Sequence, residues 1–163
     1  MKRLVTYMGI ALVVATGAFL IYGPERTWAL FAPADLGPVE FDSLVRRETP
    51  NDALAASSGL AEDADVELPT YEADAASVMD AVDRRIAELG DEAELVAQSP
   101  TMRRFVTRSP VMRFPDTTVI EAVPMPEGRT GLRAYARASI GQSDLGANEA
   151  RLRRWLLDLA VAP

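Results

Sequence analysis

The sequence predicts an α+β domain. A single antiparallel sheet in the order strand, helix, four strands, helix would carry both helices on one face, preceded by one N-terminal transmembrane helix. Three observations lead there. An uncharged apolar run opens the chain, from Leu4 to Tyr22. Two later segments repeat apolar residues at helical spacing. Between them lie short β-rich runs separated by Pro- and Gly-marked turns.

Leu4–Tyr22 holds 19 residues without a charge. About 20 apolar residues at ~1.5 Å each cross the hydrocarbon core. Lys2 and Arg3 precede the run, Gly23-Pro24 ends it, and Trp28 and Phe31 follow as interfacial aromatics. The basic pair should stay cytoplasmic, which puts the rest of the chain on the periplasmic side of the inner (cytoplasmic) membrane, in a single pass. A cleaved signal peptide is the alternative. Its apolar core would be shorter, and Ala29-Leu30-Phe31-Ala32 does not supply a small-x-small site.

Residues 1–22 are thus read as the anchor, 23–65 as a juxtamembrane linker and 66–163 as the folded domain. Prolines 24, 33, 38 and 50 break helices in the linker, and Ala53 to Asp65 reads as a surface segment. Val39-Glu40-Phe41 and Leu44-Val45 are the parts that could be pinned to the domain. Val66 to Glu72 alternates as a first strand. Asp74 reads as a helix N-cap and Gly90 as the terminator, with Val78, Met79, Val82, Ile86 and Leu89 forming one apolar stripe.

Ala93 to Gln98, Met102 to Arg108, Thr117 to Val123 and Leu132 to Ser139 read as the remaining strands. On the last, Leu132, Ala134, Ala136 and Ala138 point one way, and Arg133, Tyr135, Arg137 and Ser139 the other. The small residues suit a face packed closely against a helix. The final helix puts Leu152, Trp155, Leu156 and Leu159 on one stripe, with Arg151, Arg154 and Asp158 opposite.

Charge is divided along the chain. Residues 52–100 carry 13 acids and 2 bases, while residues 101–163 carry 6 acids and 10 bases, within an overall net charge of −7. This balance argues against duplex nucleic acid as a partner. It leaves room for an anion site in the basic half. The chain has no Cys and no His, so disulfides, thiolate nucleophiles and the usual neutral-pH acid–base residue are absent. No cofactor and no metal site is expected. The acidic run Glu62, Asp63, Asp65 and Glu67 lacks the spacing of a calcium loop.

Several motifs follow one another in order: Gly23-Pro24-Glu25-Arg26, Leu36-Gly37-Pro38-Val39, Arg47-Glu48-Thr49-Pro50-Asn51-Asp52-Ala53 and Thr107-Arg108-Ser109-Pro110. Arg113-Phe114-Pro115-Asp116, Ala136-Arg137-Ala138-Ser139, Ser143-Asp144-Leu145-Gly146-Ala147-Asn148 and the helix ending at Trp155-Leu156 complete the set. The ordered set resembles domain-of-unknown-function family 1499. A cysteine after the Pro-Asn-Asp motif in similar members is replaced here by Ser57 and Ser58. The resemblance implies no established activity, substrate or cofactor.

Polar residues concentrate in Arg108, Arg113, Asp116, Arg137, Ser143, Asp144 and Asn148. These form either a ligand site or a structural cluster. Asp144 has the placement of a cap for the last helix. Arg113 and Arg137 could lock the Asp116 and Asp144 turns, or frame an anion pocket with Arg108 and Arg133. Tyr135, Phe105 and Phe114 could line an apolar cavity. The reading is an uncharacterised single-pass membrane-anchored protein, a non-catalytic binding or accessory module of the cell envelope. Its partners would be the membrane through Leu4–Tyr22, an apolar or anionic ligand, or a membrane-protein complex, and no nucleic acid. One alternative is an envelope enzyme using Asp116, Arg113, Arg137 and Asp144. Another is a structural subunit held laterally by small residues of the anchor such as Gly9, Ala15 and Gly17.

Overall fold

Alanine dominates the strand that organises the molecule. The structure is a computed structural model describing residues 2–161; for residues 2–5, 8, 11, 12, 15 and 18 only the backbone is described. Strand β1 (Asp52–Ser57) lies second in a six-stranded sheet. The others are β2 (Val66–Leu68), β3 (Ala93–Ser99), β4 (Met102–Arg108), β5 (Pro115–Pro124) and β6 (Thr130–Ala138). Their order across the sheet is β2-β1-β6-β5-β4-β3.

Two expectations are corrected here. Of the segment Ala53 to Asp65, only Ser58 to Asp65 runs over the surface, because Ala53, Leu54, Ala55, Ala56 and Ser57 are all buried. The sheet therefore starts inside the stretch read as linker. Nor is the sheet wholly antiparallel. β1 pairs antiparallel with β6 but parallel with β2, in register Ala55 with Val66, so the sheet is mixed. The short return loop between β1 and β2 turns at Gly59, whose φ is +82°, a region that favours glycine. The Asp65 side chain accepts from Leu54 N at 2.8 Å, and Asp65 N donates to Leu54 O at 2.8 Å. This clasp extends the ladder by one residue ahead of the start of β2.

One face of the sheet carries helices, as expected. Helix α3 (Ala75–Leu89) begins where the Asp74 side chain accepts from Ser77 N at 2.8 Å and stops at Gly90 in the left-handed region. Its Val78, Met79, Val82 and Ile86 are buried. Helix α4 (Ala147–Leu156) buries Leu152, Trp155 and Leu156. Both pack over Ala53, Ala55, Phe105, Ile120, Ala122, Leu132, Ala134 and Ala136 in one core. The small side chains of β1 and β6 let α4 approach closely. Phe105 and Trp155 meet edge to face at 5.6 Å.

The opposite face is covered by residues 34–47, an extended strap. Arg137 donates through Nη2 to the carbonyls of Leu36, Gly37 and Pro38 at 2.9, 3.0 and 3.3 Å. Leu36 N donates to Thr117 Oγ1 at 2.9 Å, and Arg104 pairs with Asp35 at 3.1 Å. Arg133 pairs with Asp42 and lies 4.9 Å from the centre of the Phe41 ring. Arg46 bridges Asp52 and Asp65 at 2.9 Å each. Tyr135 donates a short hydrogen bond to Asp52. The charged face of β6 is thus half-buried, its arginines paired with backbone carbonyls and acids of the strap.

N-terminal to the strap stand helices α1 (Lys2–Tyr22) and α2 (Pro24–Trp28). The expected membrane segment Leu4–Tyr22 coincides with α1, and part of it lies outside the described side chains. Among the described residues, no helix is long and apolar enough to cross a membrane.

Candidate functional site

At one end of the sheet, the loops after β4 and β6 meet the C-terminal end of α3 and the start of α4. A cavity of about 520 Å³ opens between them. Its floor is laid by antiparallel pairing, which sets Thr107 of β4 opposite Asp116 of β5. Both are buried. The Thr107 hydroxyl makes no hydrogen bond among the described residues. Gly90, Asp91 and Glu92 form one wall, Arg108, Ser109, Pro110 and Arg113 another, and Ala147, Ala150, Arg151 and Arg154 the third.

The central contact is Arg151 to Asp116, at 2.8 Å, with both side chains largely buried. Burial pushes the Asp116 carboxyl above its ordinary value, the Arg151 cation opposes that shift, and the nearby Asp144 adds to it. Arg151 also donates to Asn148 Oδ1 at 2.6 Å. Asn148 is fully buried and donates to Asn51 O at 3.4 Å. Asn51 Nδ2 donates to Gly141 O at 2.7 Å, and its Oδ1 accepts from Arg47 at 3.3 Å. A polar chain therefore runs from the cavity floor through the start of α4 to the Pro50-Asn51-Asp52 segment ahead of β1.

Arg108 and Arg113 are held by acids more exposed than themselves. Arg113 pairs with Glu92 at 2.5 Å and with Glu25 of α2 at 2.8 Å; its side chain is 26% exposed against 73% for Glu92. Glu92 and Glu25 hold its guanidinium above the usual arginine value. Arg108 pairs with Glu94 at 3.1 Å and Glu25 at 3.6 Å. Asp91 accepts from Arg154 and from the buried Trp155 Nε1, each at 2.5 Å. Burial opposes ionisation of Asp91, but Trp155 and Arg154 bring its pKa below the ordinary value.

The loops that carry these groups are locally built. Ser109 Oγ accepts from Phe114 N at 3.0 Å and closes the loop after β4. Asp144 accepts from Gly146 N at 3.1 Å and Asn148 N at 2.9 Å, so it caps α4. Ser143 Oγ accepts from Leu145 N at 3.1 Å. Arg113 and Leu145 sit at φ of 58° and 55°, in the left-handed region where a side chain costs energy.

Of the seven polar residues singled out from the sequence, Arg108, Arg113 and Asp116 line the cavity. Ser143, Asp144 and Asn148 shape its α4 side through backbone and side-chain bonds. Arg137 does not join them. It points through the opposite face into the strap. Arg133, named as a further pocket arginine, pairs with Glu121 and Asp42 on that face as well. Tyr135 is likewise under the strap, bonded to Asp52, while Phe105 packs in the helix-side core. Sequence reasoning missed Asp91, Glu92, Arg151 and Arg154. The sequence places the two arginines opposite the apolar stripe of the last helix. Their spacing of three places them on one side of α4, which was the available signal. Among the described residues, no three His, Cys, Asp or Glu side chains converge to hold a metal ion.

A family model described as "Protein of unknown function (DUF1499)" matches residues 45–159. The matched span includes the Pro50-Asn51-Asp52 segment and every residue that lines the cavity. The Gly23–Arg26 and Leu36–Val39 motifs fall before it. No curated protein matches the chain.

Proposed function

The chain belongs to the DUF1499 family of proteins of unknown function, and from that premise we propose that it is a membrane-anchored, non-catalytic binding module of the cell envelope. Its ligand carries an anionic group that enters the cavity between β4, α3 and α4. One observation carries this reading. Arg108 and Arg113 are held half-buried by exposed carboxylates that a ligand can replace. Exposed ion pairs contribute only ~0–1 kcal/mol, so exchanging Glu92 or Glu94 for a ligand phosphate or carboxylate costs little. The free Thr107 hydroxyl on the floor offers a hydrogen bond to whatever enters. Anchoring is supported by the uncharged run Leu4–Tyr22 and by the exposure of Tyr7, Ile10, Val13, Val14, Leu20 and Ile21 on α1.

Native mass spectrometry of the full-length protein, released from nanodiscs made of its own membrane, tests the proposal. The expected result is an additional anionic mass on the wild type, retained by Arg129→Gln and lost by Arg108→Gln/Arg113→Gln. An empty wild-type protein would overturn it. A second reading, an envelope enzyme, draws on the Asp116 carboxyl, which burial holds above its ordinary value as a proton donor requires. It predicts that the recovered ligand is converted on incubation with the wild type and persists with Asp116→Asn.

A further inference from the structure

The mouth of the cavity has a second property. Outside α1, the large exposed hydrophobics among the described residues are Leu30, Phe31, Val45, Leu95, Val111, Met112 and Leu145. Five of these seven sit on segments around this mouth. Val111 and Met112 lie in the loop after β4, and Leu145 lies in the loop that enters α4. Leu30 and Phe31 follow α2, whose Trp28 donates to Met112 O at 2.5 Å and packs on Phe114 at 4.7 Å.

Leu145 is the most telling of them. It is 95% exposed and its φ is 55°. A leucine loses on both counts in water: the backbone is disfavoured for a side-chain-bearing residue, and the side chain stays hydrated. Val111 is 81% exposed on the facing loop. A strained, exposed leucine on one loop and an exposed valine on the other, flanking one cavity, mark a contact surface.

Continuity with α1 says what covers that surface. Phe19 in the last turn of α1 meets Trp28 edge to face at 5.9 Å, and Trp28 meets Phe114. Only Gly23 separates α1 from α2. Glu25 of α2 holds both Arg108 and Arg113. The end of α1 and the mouth of the cavity are therefore joined with no slack, and a membrane around α1 would meet this end of the domain first. The loop between β5 and β6, at the other end of the sheet, holds exposed Glu127 instead.

We infer that this end of the domain docks on the lipid bilayer, with Leu145, Val111, Met112, Leu30 and Phe31 in the interface and the arginine cavity opening at the headgroup layer. The inference rests on the membrane-anchored reading of α1. It also names the source of the anion: the phosphate of a lipid headgroup, for which Arg108 and Arg113 are the receiving cations.

The chain has no cysteine, so single nitroxide labels can be introduced without removing any native thiol. Leu145→Cys, Val111→Cys, Val14→Cys and Glu127→Cys would be labelled in the full-length protein and reconstituted in phosphatidylcholine–phosphatidylglycerol vesicles. Oxygen and a water-soluble nickel chelate then report lipid and water access. The expected result is an oxygen-to-nickel ratio at 145 and 111 several times that at 127, with the highest value at 14. If 14 reads as bilayer while 145 and 111 read as water like 127, docking is overturned and the anchored reading stands. If 14 also reads as water, both fall. Loss of access to both probes at 145 and 111 would point to a protein contact and overturn lipid docking.

Discussion

A single glycine limits how β6 can pass its neighbours. A Cβ on Gly131 would lie 2.8 Å from Leu60 Cδ1, 2.8 Å from Met125 Sδ and 3.2 Å from Ser57 Cβ. The first two belong to flexible side chains, but the last is fixed to β1, whose Ser57 Oγ accepts from Leu132 N and donates to Pro69 O. Gly131→Ala should therefore destabilise the domain by about 1–3 kcal/mol, as overpacked cores do. Thermal unfolding of the variant would measure this, and an unchanged midpoint would show that the loop after β1 yields freely. Asn148 is the complementary case, a fully buried amide that joins Arg151 to the Asn51 backbone. Its polarity was legible in the sequence. Its partners come from segments roughly a hundred residues apart and were not.

Among the elements, the strap over residues 34–47 departs most from a linker. It contains no long helix and little apolar periodicity, so beyond Pro and Gly breaks the sequence marks only Val39-Glu40-Phe41 and Leu44-Val45 as parts that could be pinned. It is fixed by side chains of β1, β4, β5 and β6 that meet its backbone N–H and carbonyl groups, its acids and its Arg46. Arg137 is the main tie. Burial and the neighbouring Arg47 lower its pKa, so its charge is held at some cost and the strap carbonyls offset that cost. Arg137→Met keeps the stem and removes three bonds. Hydrogen bonds to charged groups contribute roughly 1.5–3 kcal/mol, so amide exchange across the strap should accelerate by about tenfold or more while β5 and α3 keep their protection. Equal acceleration everywhere would show that the strap and the sheet open as one unit. Strand β1 illustrates the same limit from the other side. Its alanines lie between α4 and the strap, and a strand buried on both faces shows no alternation.

At the scale of the whole molecule, carboxylates join the layers, and their protonation should loosen all of them. Burial disfavours the charge on Asp52, yet Arg46, Tyr135 and the Arg47 amide hold its pKa below the ordinary 3.8. Asp91 is held low by Trp155 and Arg154 against the same effect of burial. A carboxylate depressed in the folded state contributes stability above its unfolded pKa and loses it as pH falls through the folded value. Asp116, raised by burial, acts in the opposite sense and relaxes as it is protonated. Asp116 takes up its proton above the ordinary carboxylate value, so below that value the two depressed groups are the ones still losing their contribution. The unfolding temperature of the full-length protein should fall as the pH drops below about 4, through the depressed values of Asp52 and Asp91, and less so in Asp91→Asn. A flat profile would show that these carboxylates keep their ordinary values. Local chemistry in the sequence already determined the caps and stripe of α3, the stripe of α4, the alternation of β6 and the uncharged run at the N-terminus. Each of these is a contrast between a face that meets the core and a face that does not, or between an apolar run and its polar flanks. Tertiary structure alone decided that Ala53–Ser57 joins the sheet, that β2 runs parallel to it, that Arg137 faces the strap and that Arg151 meets Asp116. Those features depend on which distant segment covers a surface, and neither periodicity nor spacing along the chain carries that information.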